Sequence, residues 1–273
     1  MEIKEILKNA IIFPAKNLET LSIYAILSLL SGAFAIQGIV TFIFGILDIG
    51  NFIMGGIYIA IAIILGLLTR RMSIQCVKSG IDLEEKLPDF NWFESFGTGL
   101  SKVIITIFYF IVPALIVVFI GLITNIYGSI MYFSQELSSH TYDIVMGTMT
   151  ASDAIYHAAF PLLISLAITI SLGLIIFLVF SFFQAMGEAR LAHTGSLKSA
   201  LNIYQSAKDI SRIGVSKVIL LSALIFVIFT IIESFLTVIF DHLMVLSILT
   251  IIITPYLALF SQRSLGLLYS DIV

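Results

Sequence analysis

The residue whose type and position most suggest chemistry is Glu233. It is the only charged residue in the run 218–240, and it lies eight residues before Asp241. If this run is a helix that crosses a membrane, the carboxyl group lies about 12 Å inside the boundary. An ionisable group at that depth predicts a proton or cation site. We favour a second interpretation, a protonated carboxyl bonded to a serine or threonine of another helix, because no other acid or base lies at similar depth.

A second set of residues has the types that bind metal ions. His140 and Asp143 are three residues apart, and Asp153 and His157 are four apart, within the polar segment 134–157. On a helix each pair would share a face, and two histidines with two aspartates are suitable ligands for zinc. Polar loops contain such pairs by chance, however, and Asp153 is better explained as an acid near a helix N-terminus. We therefore expect no metal and no cofactor.

The sequence lacks the motifs of several large enzyme classes. It contains no His-Glu-x-x-His, no Gly-x-Ser-x-Gly and no Gly-x-x-x-x-Gly-Lys-Ser/Thr. Gly97-Thr98-Gly99 lacks the third glycine and the preceding strand of a dinucleotide-binding loop. Because no convergent set of acids and bases stands out either, we predict that the protein is not an enzyme.

The composition excludes a soluble domain. Hydrophobic residues make up 59% of the 273 residues and charged residues only 11%, whereas soluble domains contain about 25% charged residues. A soluble core of this length cannot bury so much apolar surface. The net charge of −3 gives no reason to expect a nucleic-acid partner.

Six apolar runs are long enough to cross a bilayer, which requires about 20 residues in a helix. Each must be helical, because lipid cannot satisfy free backbone groups. We predict an all-α, polytopic membrane protein with one membrane domain, 1–273. The predicted spans are 21–47, 49–69, 103–133, 158–187, 218–240 and 243–262.

The basic residues predict the orientation of these spans. All 14 lysines and arginines lie in alternate connections, namely 1–20, 70–102, 188–217 and the C-terminal segment with Arg263. The other connections, at Asp48, 134–157 and 241–242, hold none. Because basic segments stay on the inner side of a membrane, we expect 134–157 to be an outer loop and both termini to be cytoplasmic.

Three inner segments have the pattern of amphipathic helices that lie at the membrane surface. Segment 1–11 has an apolar face with Ile6 and Ala10, and 87–93 contains the only tryptophan, Trp92. In 196–213, Ser196 is a suitable N-cap, and the two faces separate clearly. The apolar face holds Leu197, Ala200, Leu201, Tyr204, Ala207, Ile210 and Ile213, and the polar face holds Lys198, Asn202, Gln205, Lys208, Asp209 and Arg212.

A short internal repeat suggests that the spans form three hairpins. Residues 99–104 (Gly-Leu-Ser-Lys-Val-Ile) match residues 214–219 (Gly-Val-Ser-Lys-Val-Ile) at the entry to two outward-going spans. Each inward-going span ends near an arginine, namely Arg70 and Arg71, Arg190, and Arg263. The repeated unit is then an interfacial helix followed by a helical hairpin. The alternative is that any polytopic protein places basic residues at these ends.

The same segments resemble a family of membrane proteins known as domain of unknown function 4013. The resembling residues are Leu87-Pro88-Asp89-Phe90 with Trp92, Gly99–Lys102, Ala189-Arg190 and Ile213-Gly214-Val215. The family has no assigned activity and no catalytic residues to transfer. The resemblance implies an archaeal cell membrane.

The predicted function is therefore that of a non-catalytic membrane component: a scaffold, an accessory subunit or a protein that interacts with lipid. The amphipathic segments and an expected lack of buried charge favour this prediction. Its expected partners are the lipid bilayer and, for a scaffold or an accessory subunit, another membrane protein. The alternative is a small-solute transporter that uses Glu233, and an intramembrane enzyme is the least favoured reading.

Overall fold

The computed structural model describes residues 1–45, 48–86, 92–139, 145–147, 150–242 and 248–273. In these residues the chain is helical and contains no strand, which confirms the all-α prediction. The helices are α1 (Ile3–Lys16), α2 (Leu18–Phe44), α3 (Ile49–Ile81), α4 (Trp92–Ile123), α5 (Ile126–Ser139), α6 (Ala151–Thr194), α7 (Leu197–Ala200), α8 (Ile203–Ile213), α9 (Val215–His242) and α10 (Ile248–Tyr269), followed by a 3₁₀ turn, Ser270–Ile272.

Six helices in the described ranges are long and apolar enough to cross a membrane: α2, α3, α4, α6, α9 and α10. This number confirms the prediction from hydropathy. The protein is a multi-pass membrane protein. Its lysines and arginines lie at one end of these helices, which we call the basic side.

The predicted third span, 103–133, is divided in the structure. Helix α4 ends at Ile123, and a turn at Thr124 and Asn125 leads into α5. Asn125 adopts a left-handed conformation (φ 54°), which asparagine tolerates better than most residues. Its Oδ1 accepts a hydrogen bond of 3.2 Å from the backbone N–H of Gly128. Hydropathy could not reveal this break, because the residues on both sides of the turn are uncharged.

The buried core is concentrated towards the basic side. Helices α3 and α6 continue past the predicted span ends, residues 69 and 187, and their extensions are largely buried. Helix α10 is the most buried of the six helices. Half of the residues in its apolar stretch are buried, against 11–17% in the other five. Lipid accepts apolar side chains as readily as a protein interior does, so only the parts of the helices beyond the lipid must be covered by protein.

The chain divides into two compact units. The first comprises Met1–Thr106 and Phe183–Val273, and the second is Ile107–Phe182. In the second unit, hydroxyl groups join α6 to the turn between α4 and α5. Ser165 of α6 donates to the carbonyl of Thr124 in that turn over 2.8 Å, and the hydroxyls of Thr124 and Thr169 share a bond of 2.9 Å. These bonds satisfy the polar groups that small side chains bring into an apolar helix interface.

Glycines bring helices of the first unit into close contact. A Cβ atom on Gly266 of α10 would lie 2.1 Å from the carbonyl oxygen of Val77 on α3, and one on Gly55 would lie 2.6 Å from the backbone nitrogen of Phe42 on α2. Gly56 and Ala60 have the spacing of a packed pair of small residues on α3, but both are exposed, and the adjacent Gly55 is the contact residue.

We predict that Gly266→Ala destabilises the protein. The added methyl group overlaps the Val77 carbonyl and forces α3 and α10 apart, so the free energy of unfolding should fall by about 1–3 kcal/mol. Thermal unfolding in detergent measures the change. The control is Gly56→Ala, because nothing lies within 4 Å of its Cβ position and a helical alanine is better than a helical glycine. Equal melting temperatures for the two variants would contradict the proposed contact.

Candidate functional site

The side chains best suited to chemistry or to ligand binding are charged residues buried on the basic side. Among the described residues, four charged side chains are less than a tenth exposed, namely Arg71, Glu188, Asp209 and Arg263. The expected lack of buried charge is therefore wrong. Buried charges of this kind persist only where hydrogen-bond partners replace the lost water.

Asp209 is the centre of one cluster. Its Oδ2 accepts hydrogen bonds from Nη1 of Arg190 at 2.6 Å and from the hydroxyl of Tyr269 at 3.0 Å. Arg190 also donates from Nε to the carbonyl of Ser199 at 3.2 Å and from Nη2 to its hydroxyl at 3.1 Å. The Asp209 carboxylate therefore joins α8 to α6 and α10, and Arg190 joins α7 to the same cluster.

This cluster buries one residue of the predicted polar face of α8. Asp209, which the sequence places on the polar face with Lys208 and Arg212, is 2% exposed. Tyr204, on the predicted apolar face, is 75% exposed. The reason is that Arg190 requires an anionic partner, so the ion pair decides which side of α8 faces the protein. Ser196 and Asn202 begin α7 and α8 by accepting backbone N–H bonds, as predicted for Ser196.

Arg263 is the centre of a second cluster, which joins α10 to α1 and α3. It is 1% exposed, and it donates to the hydroxyl of Ser79 at 3.0 Å and to Oδ1 of Asn9 at 3.3 Å. Its guanidinium carbon lies 4.3 Å from the ring centroid of Phe13, a cation–π contact. Cys76, also on α3, is fully buried nearby and donates its S–H to the carbonyl of Leu259.

Three lysine–carboxylate pairs close the three hairpins on the basic side. Lys16 before α2 pairs with Glu85 after α3 at 3.3 Å, and Lys102 on α4 pairs with Glu188 on α6 at 3.0 Å. Lys217, the counterpart of Lys102 in the repeated motif, pairs with Asp271 after α10. Each pair joins the entry of one hairpin to its exit, which is a further likeness between the three proposed repeats.

A cavity of about 410 Å³ opens beside the Arg263 cluster. Its wall holds charges of both signs: Glu5, Lys8, Lys16, Glu85 and Arg263. Lys16 and Glu85 neutralise each other, and Arg263 is already bonded to Ser79 and Asn9. These five side chains are three cations and two anions, and the guanidinium of Arg263 is held by neutral groups of α1 and α3.

Glu233 lies on the surface of α9. Its side chain is exposed, and the Thr237 hydroxyl donates to its backbone carbonyl rather than to its carboxyl group. In the described part of the chain no serine or threonine of another helix bonds the Glu233 carboxyl group. It does not line the charged cavity or either of two further cavities, of about 260 and 490 Å³. A site at Glu233 stays a prediction.

The predicted metal ligands do not meet in the described structure. His140 and Asp143 lie outside the described residues, and the backbone of Asp153 is in α6. His157 is exposed on α6, with its ring edge-on to Tyr156 at a centroid distance of 6.0 Å. No group of three or more histidine, cysteine or acidic side chains in the described ranges is placed to hold a metal ion.

Comparison with protein families agrees with the resemblance noted in the sequence. The family model described as "Protein of unknown function (DUF4013)" matches residues 54–240, more than half of the chain. The chain belongs to this family. The DUF4013 match includes Arg190 and Asp209, whereas Asn9 and Arg263 lie outside it. No curated protein and no solved structure matches the chain.

We predict that Asp209→Asn strongly destabilises the protein. The substitution keeps a hydrogen-bond acceptor but leaves the charge of Arg190 buried without its partner, so the free energy of unfolding should fall by about 3–5 kcal/mol.

The control for Asp209→Asn is Glu85→Gln. It breaks an ion pair whose side chains are 53% and 77% exposed, and such pairs contribute about 1 kcal/mol or less. Thermal unfolding in detergent compares the two variants. If both lower the melting temperature equally, Asp209 does not hold the helices together as described.

Proposed function

We propose that the protein is a non-catalytic component of the cell membrane that interacts with lipid through α8 on its basic side, with both termini in the cytoplasm. The outward face of α8 is the observation that carries this proposal. The archaeal setting of that membrane is what the family resemblance implies.

Helix α8 presents the surface of an interfacial helix. Asp209 ties one side of the helix to Arg190 and Tyr269, while Tyr204 and Ala207 are exposed on another side. Lys208 and Arg212 are exposed as well. Tyrosine is enriched where membranes meet water, and basic side chains next to an apolar face favour an anionic lipid surface. The concentration of basic residues on this side supports a cytoplasmic orientation.

The charged clusters support a non-catalytic role. Asp209 and Arg190 hold helices together, and Lys102 and Glu188 close a hairpin. A catalytic acid or base needs a position where its protonation changes beside a substrate. The buried carboxylates of Asp209 and Glu188 are instead paired with the cations of Arg190 and Lys102, which suits a structural role.

The first experiment places a fluorescent probe on the outward face of α8. Tyr204→Trp is made in a Trp92→Phe background, which removes the only native tryptophan. In vesicles with brominated lipids, we expect strong quenching by bromine near the headgroups. Arg212→Trp in the same background is the control, because this exposed position lies about 80° around the helix from Tyr204 and should respond to aqueous iodide. Equal iodide quenching at both positions would contradict contact with lipid.

A second candidate function is solute transport, and the exposed carboxyl of Glu233 in an apolar helix is the observation that favours it. A transporter of this kind should move protons or a proton-coupled solute. In vesicles that contain a pH-sensitive dye, Glu233→Gln should then abolish a proton flux present in the wild type. Glu19→Gln, an exposed acid at the start of α2, is the control. No flux in the wild type, or an unaltered flux in Glu233→Gln, would exclude this candidate.

A further inference from the structure

An apolar groove runs between α2, α3 and α4 within the first compact unit. Its volume is about 490 Å³, within the range of sites that hold a ligand. Its walls are apolar side chains such as Ala35, Ile59 and Ile63. The hydroxyl of Ser31 also lines the groove, but it already donates to the carbonyl of Ala62 over 2.9 Å. The body of the groove therefore offers apolar contacts and no free hydrogen-bonding side chain.

Arg70 gives the groove one charged end. It lines the groove on the basic side, and it is exposed. Among the residues that the structure describes, Arg70 has no ion-pair or hydrogen-bond partner for its side chain. This sets it apart from Arg190 and Arg263, whose guanidinium groups are bonded to neighbouring helices. A free guanidinium at the end of an apolar channel is complementary to a ligand with an apolar chain and an anionic head.

The length of the groove matches one leaflet of a bilayer. Eleven residues separate Ile59 from Arg70 along α3, a distance of about 16 Å along the helix axis. Half of a hydrocarbon core is about 15 Å thick. An occupant with its head at Arg70 would therefore end near the middle of the membrane, as the chain of a lipid does.

The groove also opens to the side rather than to water. Ile39, Ile63 and Leu100 on its rim are 53%, 58% and 50% exposed, and all three belong to helices long and apolar enough to span a membrane. An occupant must therefore enter from the bilayer. A second copy of the chain could bring an apolar helix to this rim. The described residues show no acidic group that such a copy would place at Arg70.

We propose that this groove binds one chain of an anionic phospholipid from the leaflet on the basic side, with the phosphate on Arg70. The site is separate from the outward face of α8, so it goes beyond the function proposed above and can fail without it.

The test is native mass spectrometry of the full-length protein in a mild detergent. Phosphatidylglycerol and phosphatidylcholine with identical chains are the two probes. One arginine near a charged lipid surface favours the anionic lipid by about fivefold, and we expect that preference in the wild type. Arg70→Gln should bind the two lipids equally. Lys78→Gln, which removes an exposed cation two turns further along α3, is the matched control and should retain the preference.

Two further variants test the apolar part of the groove. Ala35→Leu and Leu100→Trp enlarge wall residues that are not fully buried, so the protein should still fold. Each should reduce binding of both lipids, and circular dichroism checks that helix content is unchanged.

Three outcomes would overturn the proposal. One is an equal loss of preference in Arg70→Gln and Lys78→Gln, which would indicate a general effect of surface charge. Another is displacement of phosphatidylglycerol by millimolar inorganic phosphate, which would indicate a site for the head alone. The third is a failure of the groove itself. Undiminished lipid binding in both Ala35→Leu and Leu100→Trp would show that lipid binds elsewhere, and a wild-type dimer that lipid dissociates would show that a second copy occupies the groove.

Discussion

The carboxylate of Asp209 accepts bonds from both Arg190 and Tyr269, and much of the basic side depends on this contact. Arg190 ends an apolar helix of 44 residues, so its charge must be matched where the helix leaves the lipid. Asp209 supplies that match from α8 and thereby fixes the rotation of α8 about its own axis, with Lys208 and Arg212 left exposed. The exposed tyrosine, the basic residues beside it and the proposed contact with lipid all follow from this choice of face.

Two different kinds of contact hold the helices together, and the ion pairs described above all lie on the basic side. On the basic side, ion pairs and hydrogen bonds join helices whose apolar surfaces are also buried. Within the apolar zone, glycines and short hydroxyl side chains allow close approach, as at Gly55 and Ser165. This division has a physical cause: lipid removes the hydrophobic drive for helix association, so packing and hydrogen bonds must provide it. Large apolar side chains can then remain exposed to lipid.

Hydropathy predicted six membrane helices because the transfer of apolar residues into lipid depends on local composition. The burial of Asp209 was not predicted, because periodicity separates polar from apolar positions without showing which polar residue meets protein. It depends on Arg190, which lies 19 residues earlier and belongs to α6. The turn at Asn125 was missed because it depends on one left-handed residue. The contact at Gly55 cannot be read from the sequence, because Gly56 beside it is equally small and yet exposed. Glu233 was correctly recognised as an unusual residue in an apolar helix, but its role depends on partners that sequence cannot supply.

The Arg263 cluster has a consequence for the order of assembly. Asn9 and Phe13 belong to the first helix of the sequence, whereas Arg263 belongs to its last long helix, 254 residues after Asn9. During synthesis each hairpin can close once its own second helix has been inserted, because its lysine and carboxylate lie at its two ends. Helix α1 can meet α2 and α3 early, because Phe13 packs against Leu21 and Cys76, but its contacts with Arg263 and Leu259 require α10. The last insertion event therefore completes the packing of the first helix, and a nascent chain that stops before α10 leaves part of the buried face of α1 uncovered.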